Sequence, residues 1–239
     1  MIKLAVSGCL GRMGQRITSL AVSDKTFKVK TLLEHRAHPQ VGSVEFGIKI
    51  SSNPAALKGC DILIEFTTPE ATIENLDACV KQKVKMVIGT TGLQPEHIKK
   101  IKAASRKIPI VFSSNMSVGV NLLFKLTELT GSKTAKNYTI NMTEAHHIHK
   151  KDAPSGTAKT LAEIAESASG QKVKDIQSIR EGEIIGDHTV IFESEEDVIT
   201  LTHHAKTRDI FAKGALVAAK FLAKKKSGLF NMQDVLGLK

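Results

Sequence analysis

Ile2-Lys-Leu-Ala-Val-Ser7 is a short apolar run that breaks at Gly8 and passes, through SGCLGRMG, into a helical repeat. No other feature restricts the fold as strongly. Glycines at 8, 11 and 14 allow a tight turn, a close backbone approach to a ligand and close packing of helix on strand. Met13, Ile17, Leu20 and Ala21 share one face of the helix predicted over residues 12–22. A strand that enters such a turn and leaves as a helix presents free N–H groups and a positive dipole end, which suits a phosphate.

The alternation persists through the first half of the chain. Apolar runs at 29–33, 61–66, 84–88 and 109–112 have strand length. Residues 69–81, opening on Pro69, and 95–107 have helical spacing. Short buried strands separated by helices predict a parallel sheet covered on both faces. After Asn115 the pattern changes. Residues 118–129 and 155–167 read as helices, and 138–143 alternates polar and apolar side chains like a half-buried strand. Residues 184–192 and 197–203 read as antiparallel strands joined by the acidic turn 193–196, and 211–223 as a final helix. The expectation is an α/β chain. An N-terminal dinucleotide-binding domain comes first, then a smaller α+β domain with a mainly antiparallel sheet, with the boundary near 113–118.

Composition narrows the function classes. Of the 239 residues 41% are hydrophobic, enough for a real core. Nine Phe, one Tyr and no Trp argue against a surface that stacks bases or sugars. A net charge of +10 suits a lysine-rich surface or a site that attracts anions. No zinc-finger spacing, RNP-like motif or arginine-rich arm points to nucleic acid. Cys9, Cys60 and Cys79 are far apart and odd in number, and the opening apolar run is too short for a secretion signal. A reducing cytoplasm is therefore expected. No run of about 18 apolar residues is present to span a membrane.

Two segments carry chemistry. The first is the glycine turn, whose spacing is GxxGxxG, with Leu10 where the GxGxxG fingerprint has its second glycine. Arg12 is placed to touch a phosphate. Glu34 ends the second predicted strand about 20 residues after Gly14, where an acid holds ribose hydroxyls. A nicotinamide dinucleotide is expected rather than a flavin. Glu34 favours NADH, whereas His35 and Arg36 suit the 2′-phosphate of NADPH. Gly89-Thr90-Thr91-Gly92 and Ser113-Ser114-Asn115-Met116 follow strands of the same sheet, so they are candidates for the nicotinamide side or ordinary turns.

The second segment is EAHHIHKKDAPSGTA at 144–158. Histidine titrates near neutrality and gives or takes protons. Lys150 can hold a carboxylate and donate a proton. Asp152 can orient a cation or cap a turn. Ser155, Gly156 and Thr157 open a helix and so offer a carboxylate cradle. A metal site is the first rival, but HExxH spacing and a nearby cysteine are both lacking, so no metal is expected. A solvated basic loop that caps a helix is the second.

Five motifs, GCLGRMG, FTTPEAT, VIGTTG, SNMSVGVN and EAHHIHKKDAPSGTA, stand in one order from residue 2 to the tail SGLFNMQDVL at 227–236. Together they resemble the dihydrodipicolinate reductase family. The resemblance implies a Rossmann-like first domain spanning 1–117 and completed by 208–239, and a substrate and oligomerisation domain over 118–207. It implies NADH- or NADPH-dependent reduction of a cyclic unsaturated dicarboxylate toward diaminopimelate and lysine, in a cytoplasmic homotetramer. It assigns Gly8, Cys9, Leu10, Gly11, Arg12 and Met13 to the pyrophosphate and Glu34 to the ribose. Residues 89–92 and 113–116 then serve the nicotinamide side. His146 becomes the proton donor and acceptor, Lys150 the proton donor, His147 a substrate ligand, and Gly156 and Thr157, with Ser155, the carboxylate site. His149 and Lys151 receive no role.

Two departures stand out. Many members have a longer excursion before the strand near 184, and the acid at 34 is followed by His35, with Arg36 one place later. The rival functions are an amino-acid or imine dehydrogenase on the same fold, and a nicotinamide sensor without turnover.

Overall fold

Both faces of β1 (Ile2–Ser7) are covered. Leu4 and Val6 enter one apolar cluster and Ala5 another. Its neighbour β5 (Ile62–Glu65) divides the same way, with Ile62 and Ile64 on one side and Leu63 on the other. Burial on two sides is why these strands read as unbroken apolar runs. Helices α1 (Arg12–Ser23) and α6 (Asp209–Ala223) supply Ile17, Ala21, Leu216 and Ala219 to the first cluster. Helices α2 (Pro69–Gln82) and α3 (Pro95–Ala104) supply Leu76, Cys79 and Ile101 to the second.

The computed structural model describes residues 1–134 and 137–238. The chain divides into two units, one of residues 1–117 with 211–237 and one of 118–210. Of the expected domain spans, residues 135, 136 and 239 lie outside the described part. The first unit holds one eight-stranded sheet ordered β12-β7-β6-β5-β1-β2-β4-β3. Here β2 is Phe27–Leu33, β3 Val44–Glu45, β4 Ile48–Ser51, β6 Lys85–Ile88, β7 Pro109–Phe112 and β12 Gly228–Phe230. Every pairing is parallel except the β3–β4 hairpin. Because β1 lies between β2 and β5, the strand order reverses there, and in such sheets ligands bind beyond the strand ends at the reversal.

Helix starts differ in a way that matters for binding. At α2, Thr68 Oγ1 accepts the Ala71 N–H and Pro69 takes the first position, so that end is closed. At α1, Gly11 gives no side-chain cap, and the first N–H groups stay available. The structure also adds β3, β4, a 3₁₀ turn at Pro54–Leu57, β12 and α7 (Met232–Leu236), none of them expected. Each has five residues or fewer, too short for a periodic pattern.

In the second unit four strands are ordered β11-β10-β8-β9. They are β8 (Thr139–His146), β9 (Asp175–Arg180), β10 (Asp187–Glu193) and β11 (Val198–His204). The β8–β10 and β10–β11 pairs are antiparallel, and β8–β9 is parallel. Helices α4 (Val118–Thr134) and α5 (Gly156–Ser169) cover one face, where Phe124, Leu161 and Ala165 pack on Ile140, Met142, Val190 and Phe192. Two expectations are corrected here. β8 runs on to His146 instead of stopping at Thr143, because Glu144 and His146 continue the buried side of the strand. The short connection before residue 184 contains β9.

Candidate active site

In the first unit the glycine turn is closed on itself. Gly8 has φ of +70°, and a Cβ there would lie 2.5 Å from the Phe66 carbonyl oxygen. A Cβ on Gly14 would lie 1.9 Å from the Gly8 oxygen, so only glycine lets α1 start this close to the turn. The Gly11 N–H donates to the Gly8 oxygen at 3.0 Å. Cys9 is buried, with its thiol pushed up to about 12 by that burial, and Met13 packs against the core. Leu10 is half-buried and Arg12 exposed. Glu34 is tied to the turn: the Leu10 N–H donates to its Oε2 and the His35 N–H to its Oε1, both at 2.9 Å. A cavity of about 420 Å³ opens here, bordered by Ser7, Gly8, Gly11, Glu34, His35 and Arg36. A cradle that a Cβ would fill, an uncapped helix start and a carboxylate on one cavity fit a dinucleotide.

The two further loops divide between packing and exposure. Thr90 Oγ1 accepts hydrogen bonds from the Thr67 N–H at 3.1 Å and the Thr72 hydroxyl at 2.9 Å. Gly89 lies against the Phe66 ring, 2.2 Å from where its Cβ would be. Asn115 Oδ1 accepts the Ser117 N–H, and the Ser113 hydroxyl donates to the Asn115 oxygen, each at 2.9 Å. Met116 is buried in the core, with its carbonyl oxygen 1.7 Å from where a Cβ on Gly214 would lie. Thr91, Gly92 and Ser114 are exposed.

In the second unit the buried line of β8 changes character midway. Ile140 and Met142 are apolar, and Glu144 and His146 follow on the same side with 1% and 8% exposure. Across the sheet, β10 does the same with Phe192, Val190 and then His188, which pairs with Glu144. The sheet therefore has an oily half and an ionisable half beneath the start of α5. Ser155 caps that helix, its Oγ accepting the Ala158 N–H at 3.2 Å and meeting His188 Nε2 at 3.2 Å. Gly156 is exposed and Thr157 half-buried in the first turn.

The loop between β8 and α5 holds the remaining expected groups. Lys150 Nζ donates to Asp152 Oδ1 at 2.8 Å, and this hydrogen bond holds the Asp152 carboxyl below its usual range. His147 is half-buried, and its Nδ1 is a buried atom without a hydrogen-bond partner among the described residues. His149 is exposed and reaches Glu183 at 3.8 Å. Burial pushes His146 below the usual histidine value, against the opposing pull of Glu144. His188 is lowered to about 4, again chiefly by burial. Glu144, His146 and His188 lie close enough to surround an ion. Hydrogen bonds from Arg180, His146 and the Ser155 N–H already take both Glu144 oxygens, which fits a proton site better than a metal centre.

Residues 2–116 match the family model "Dihydrodipicolinate reductase, N-terminus", and residues 119–236 match "Dihydrodipicolinate reductase, C-terminus". The chain belongs to the dihydrodipicolinate reductase family. A 4-hydroxy-tetrahydrodipicolinate reductase from Geotalea daltonii is 40% identical over 267 aligned positions, covering all of both chains. One from Polynucleobacter necessarius is 39% identical over 265, again covering both completely. The solved dipicolinate-bound dihydrodipicolinate reductase from Paenisporosarcina sp. TG-14 superposes with a TM-score of 0.84 over 98% of each chain. Its 22% identity makes that a likeness of fold.

In this dihydrodipicolinate reductase family member, four ionisable or amide side chains of the two sites, besides Glu144, went unassigned from sequence. Glu65 is fully buried at the end of β5, and Asn75 Nδ2 donates to both its Oε2 at 2.8 Å and Ser7 Oγ at 3.0 Å. The Thr67 hydroxyl also donates to it, and burial raises its carboxyl to about 7. Arg180 and His188 join the His146 network from β9 and β10. The only sequence signal for Glu65 is an acid inside the apolar run ILIEF. Arg180 and His188 had none, because strand register brings them in.

Proposed function

We propose that the protein is an NADH- or NADPH-dependent 4-hydroxy-tetrahydrodipicolinate reductase. It reduces the cyclic unsaturated dicarboxylate (4-hydroxy-tetrahydrodipicolinate/dihydrodipicolinate) to tetrahydrodipicolinate on the route to diaminopimelate and lysine. Beyond the full-length kinship, one observation carries this reading: His146, Lys150 and the start of α5, with Gly156 exposed, belong to one polar end of the second sheet.

The residues of the glycine turn, with Glu34, hold the dinucleotide, and the exposed atoms of 89–92 and 113–116 serve its nicotinamide side. Bound there, the reduced dinucleotide supplies the hydride. Glu34 accepts the ribose hydroxyls, and His35 and Arg36 beside it accommodate a 2′-phosphate, so both cofactors are used. Gly156 and Thr157 offer N–H groups at a helix start to one substrate carboxylate. Lys150 and His147 hold the rest of the anion. Hydride addition to a conjugated C=C–C=N system leaves negative charge on the ring, and positive groups aimed at it lower the barrier. His146 is neutral near pH 7 because burial lowers it, so the ring proton comes from the Lys150 ammonium, oriented by Asp152. His146 takes a proton from solvent at its free nitrogen and passes it on, which restores the Lys150 ammonium.

Lys150→Ala should lower kcat by about 100-fold or more while leaving the dinucleotide Kd nearly unchanged. An unchanged kcat sinks the role of Lys150. Turnover of an amino-acid imine and none of the cyclic dicarboxylate would overturn the substrate. We further assign a homotetramer formed on the sheet face away from α4 and α5, where Val198, Thr200 and Thr202 are exposed. Light scattering that gives a monomer mass would exclude it. Three free, buried cysteines and the absence, among the described residues, of a helix long and apolar enough to cross a membrane suit the cytoplasm.

A further inference from the structure

Glu144 is a buried carboxylate that the reaction above does not use. Its position follows from two simple rules. Side chains two apart on a strand share a face, so Glu144 and His146 both point under α5. The parallel register then sets Arg180 of β9 directly beside His146. Arg180 Nη2 donates to Glu144 Oε1 at 2.8 Å, and the Ser155 N–H donates to the same oxygen at 3.3 Å. The other oxygen, Oε2, meets His146 Nδ1. Burial opposes the charge of Glu144, but the hydrogen bonds from Arg180 and His146 outweigh it and hold the carboxyl below its usual range.

An ionised carboxylate accepts and never donates, so the ring atom facing it must carry the proton. That atom is Nδ1. Nε2 is then the bare nitrogen of the neutral ring. It lies toward the buried Gly186, where a Cβ would come within 3.1 Å of it, a contact that glycine avoids. The ring is also held from the side, edge-on to His188 with centroids 5.2 Å apart. The charged or titratable groups around His146 are Glu144 on its own strand, Lys150 on the following loop, Arg180 on β9 and His188 on β10. His188 is hydrogen-bonded through Nε2 to the capping Ser155 hydroxyl. Arg180 also donates to the carbonyls of Lys150 at 3.2 Å and of Asp152, so the same guanidinium ties down the loop that carries Lys150.

We propose that Glu144, anchored by Arg180, is a positioning residue for His146: it fixes the Nδ1–H tautomer, presents Nε2 as the proton acceptor and stabilises the imidazolium formed when Nε2 takes a proton. This deepens the reductase reading and rests on it for the identity of the reaction. The tautomer itself is a property of the resting protein.

The decisive measurement is ¹⁵N NMR of histidine-labelled full-length protein without substrate, with His146 assigned by loss of its signals in His146→Asn. The expected spectrum has Nδ1 protonated and Nε2 bare. A His146 protonated at Nε2 overturns the assignment. In turnover, Glu144→Gln should lower kcat by about 100-fold with KM within about threefold, and move the pH limb governed by His146 to lower pH. Glu144→Asp keeps the charge and should hold that limb near its wild-type position. An unchanged kcat and pH profile in Glu144→Gln also overturns the proposal. A failure of the reductase reading appears as absent turnover in the wild type, and a failure of the Glu144 assignment appears in the spectrum.

Discussion

Single residues in this protein matter most where an ionisable group is buried. Glu65 sits wholly inside the first unit with a carboxyl raised from 4.5 to about 7 by burial. Between those values the folded chain keeps a proton that the unfolded chain has released. Stability therefore falls as pH rises across that window, by up to about 1.4 kcal/mol per pH unit. Below it both states are protonated and above it both are ionised, so the slope vanishes outside. Glu65→Gln should flatten the slope, which denaturant midpoints at about pH 5, 6, 7 and 8 will measure. A slope unchanged in the variant would remove Glu65 as its source. Glu144 is buried as completely and behaves oppositely, because Arg180 faces it. Two buried glutamates thus diverge chiefly because a guanidinium faces one and only neutral groups donate to the other, and Arg180 stands far from Glu144 in the chain.

Elements act here chiefly through their ends. α5 begins over the ionisable half of the second sheet, and Ser155 both caps it and touches His188. Ser155→Ala removes the cap, and a loss of about 1 kcal/mol in unfolding free energy is expected. Thermal or urea unfolding reads it, and wild-type stability would show that the cap contributes nothing. Long elements were legible from sequence, since periodicity accumulates over ten or more residues, as in α1, α2 and α6. The end of β8 was not. The alternation over 138–143 gives no sign of continuing, because Glu144 and His146 are ionisable and do not mark a buried side by themselves. Only pairing with Arg180 and His188 makes that side acceptable, and the pairing is tertiary.

At the scale of the whole molecule, charge is the relevant property. A net charge of +10 draws a dianionic substrate and a dinucleotide alike. Raising ionic strength from about 0.1 M to about 1 M shortens the screening length from about 10 Å to about 3 Å, so KM for the dicarboxylate should rise severalfold with kcat little changed. Steady-state kinetics at several salt concentrations tests this, and a salt-independent KM refutes it. The same scale shows why the chain returns. α6 adds Ala215, Leu216 and Ala219 to the apolar cluster that α1 and the first sheet share, and Gly214 lets it approach Met116 closely. The first unit is therefore built from both ends of the sequence.

The sequence by itself determined the local matters: the strand–glycine–helix start, the acid at 34, the run of histidine and lysine, and the switch from parallel to antiparallel patterning. These depend on spacing along the chain, and spacing is written in the residues. Tertiary structure alone decided which buried charges are paired. Arg180 is 36 residues from Glu144, and Asn75 is 10 from Glu65 but 68 from Ser7. Strand register and helix docking bring such groups to hydrogen-bonding distance, and the free energy that does so is the burial of apolar side chains elsewhere in each sheet.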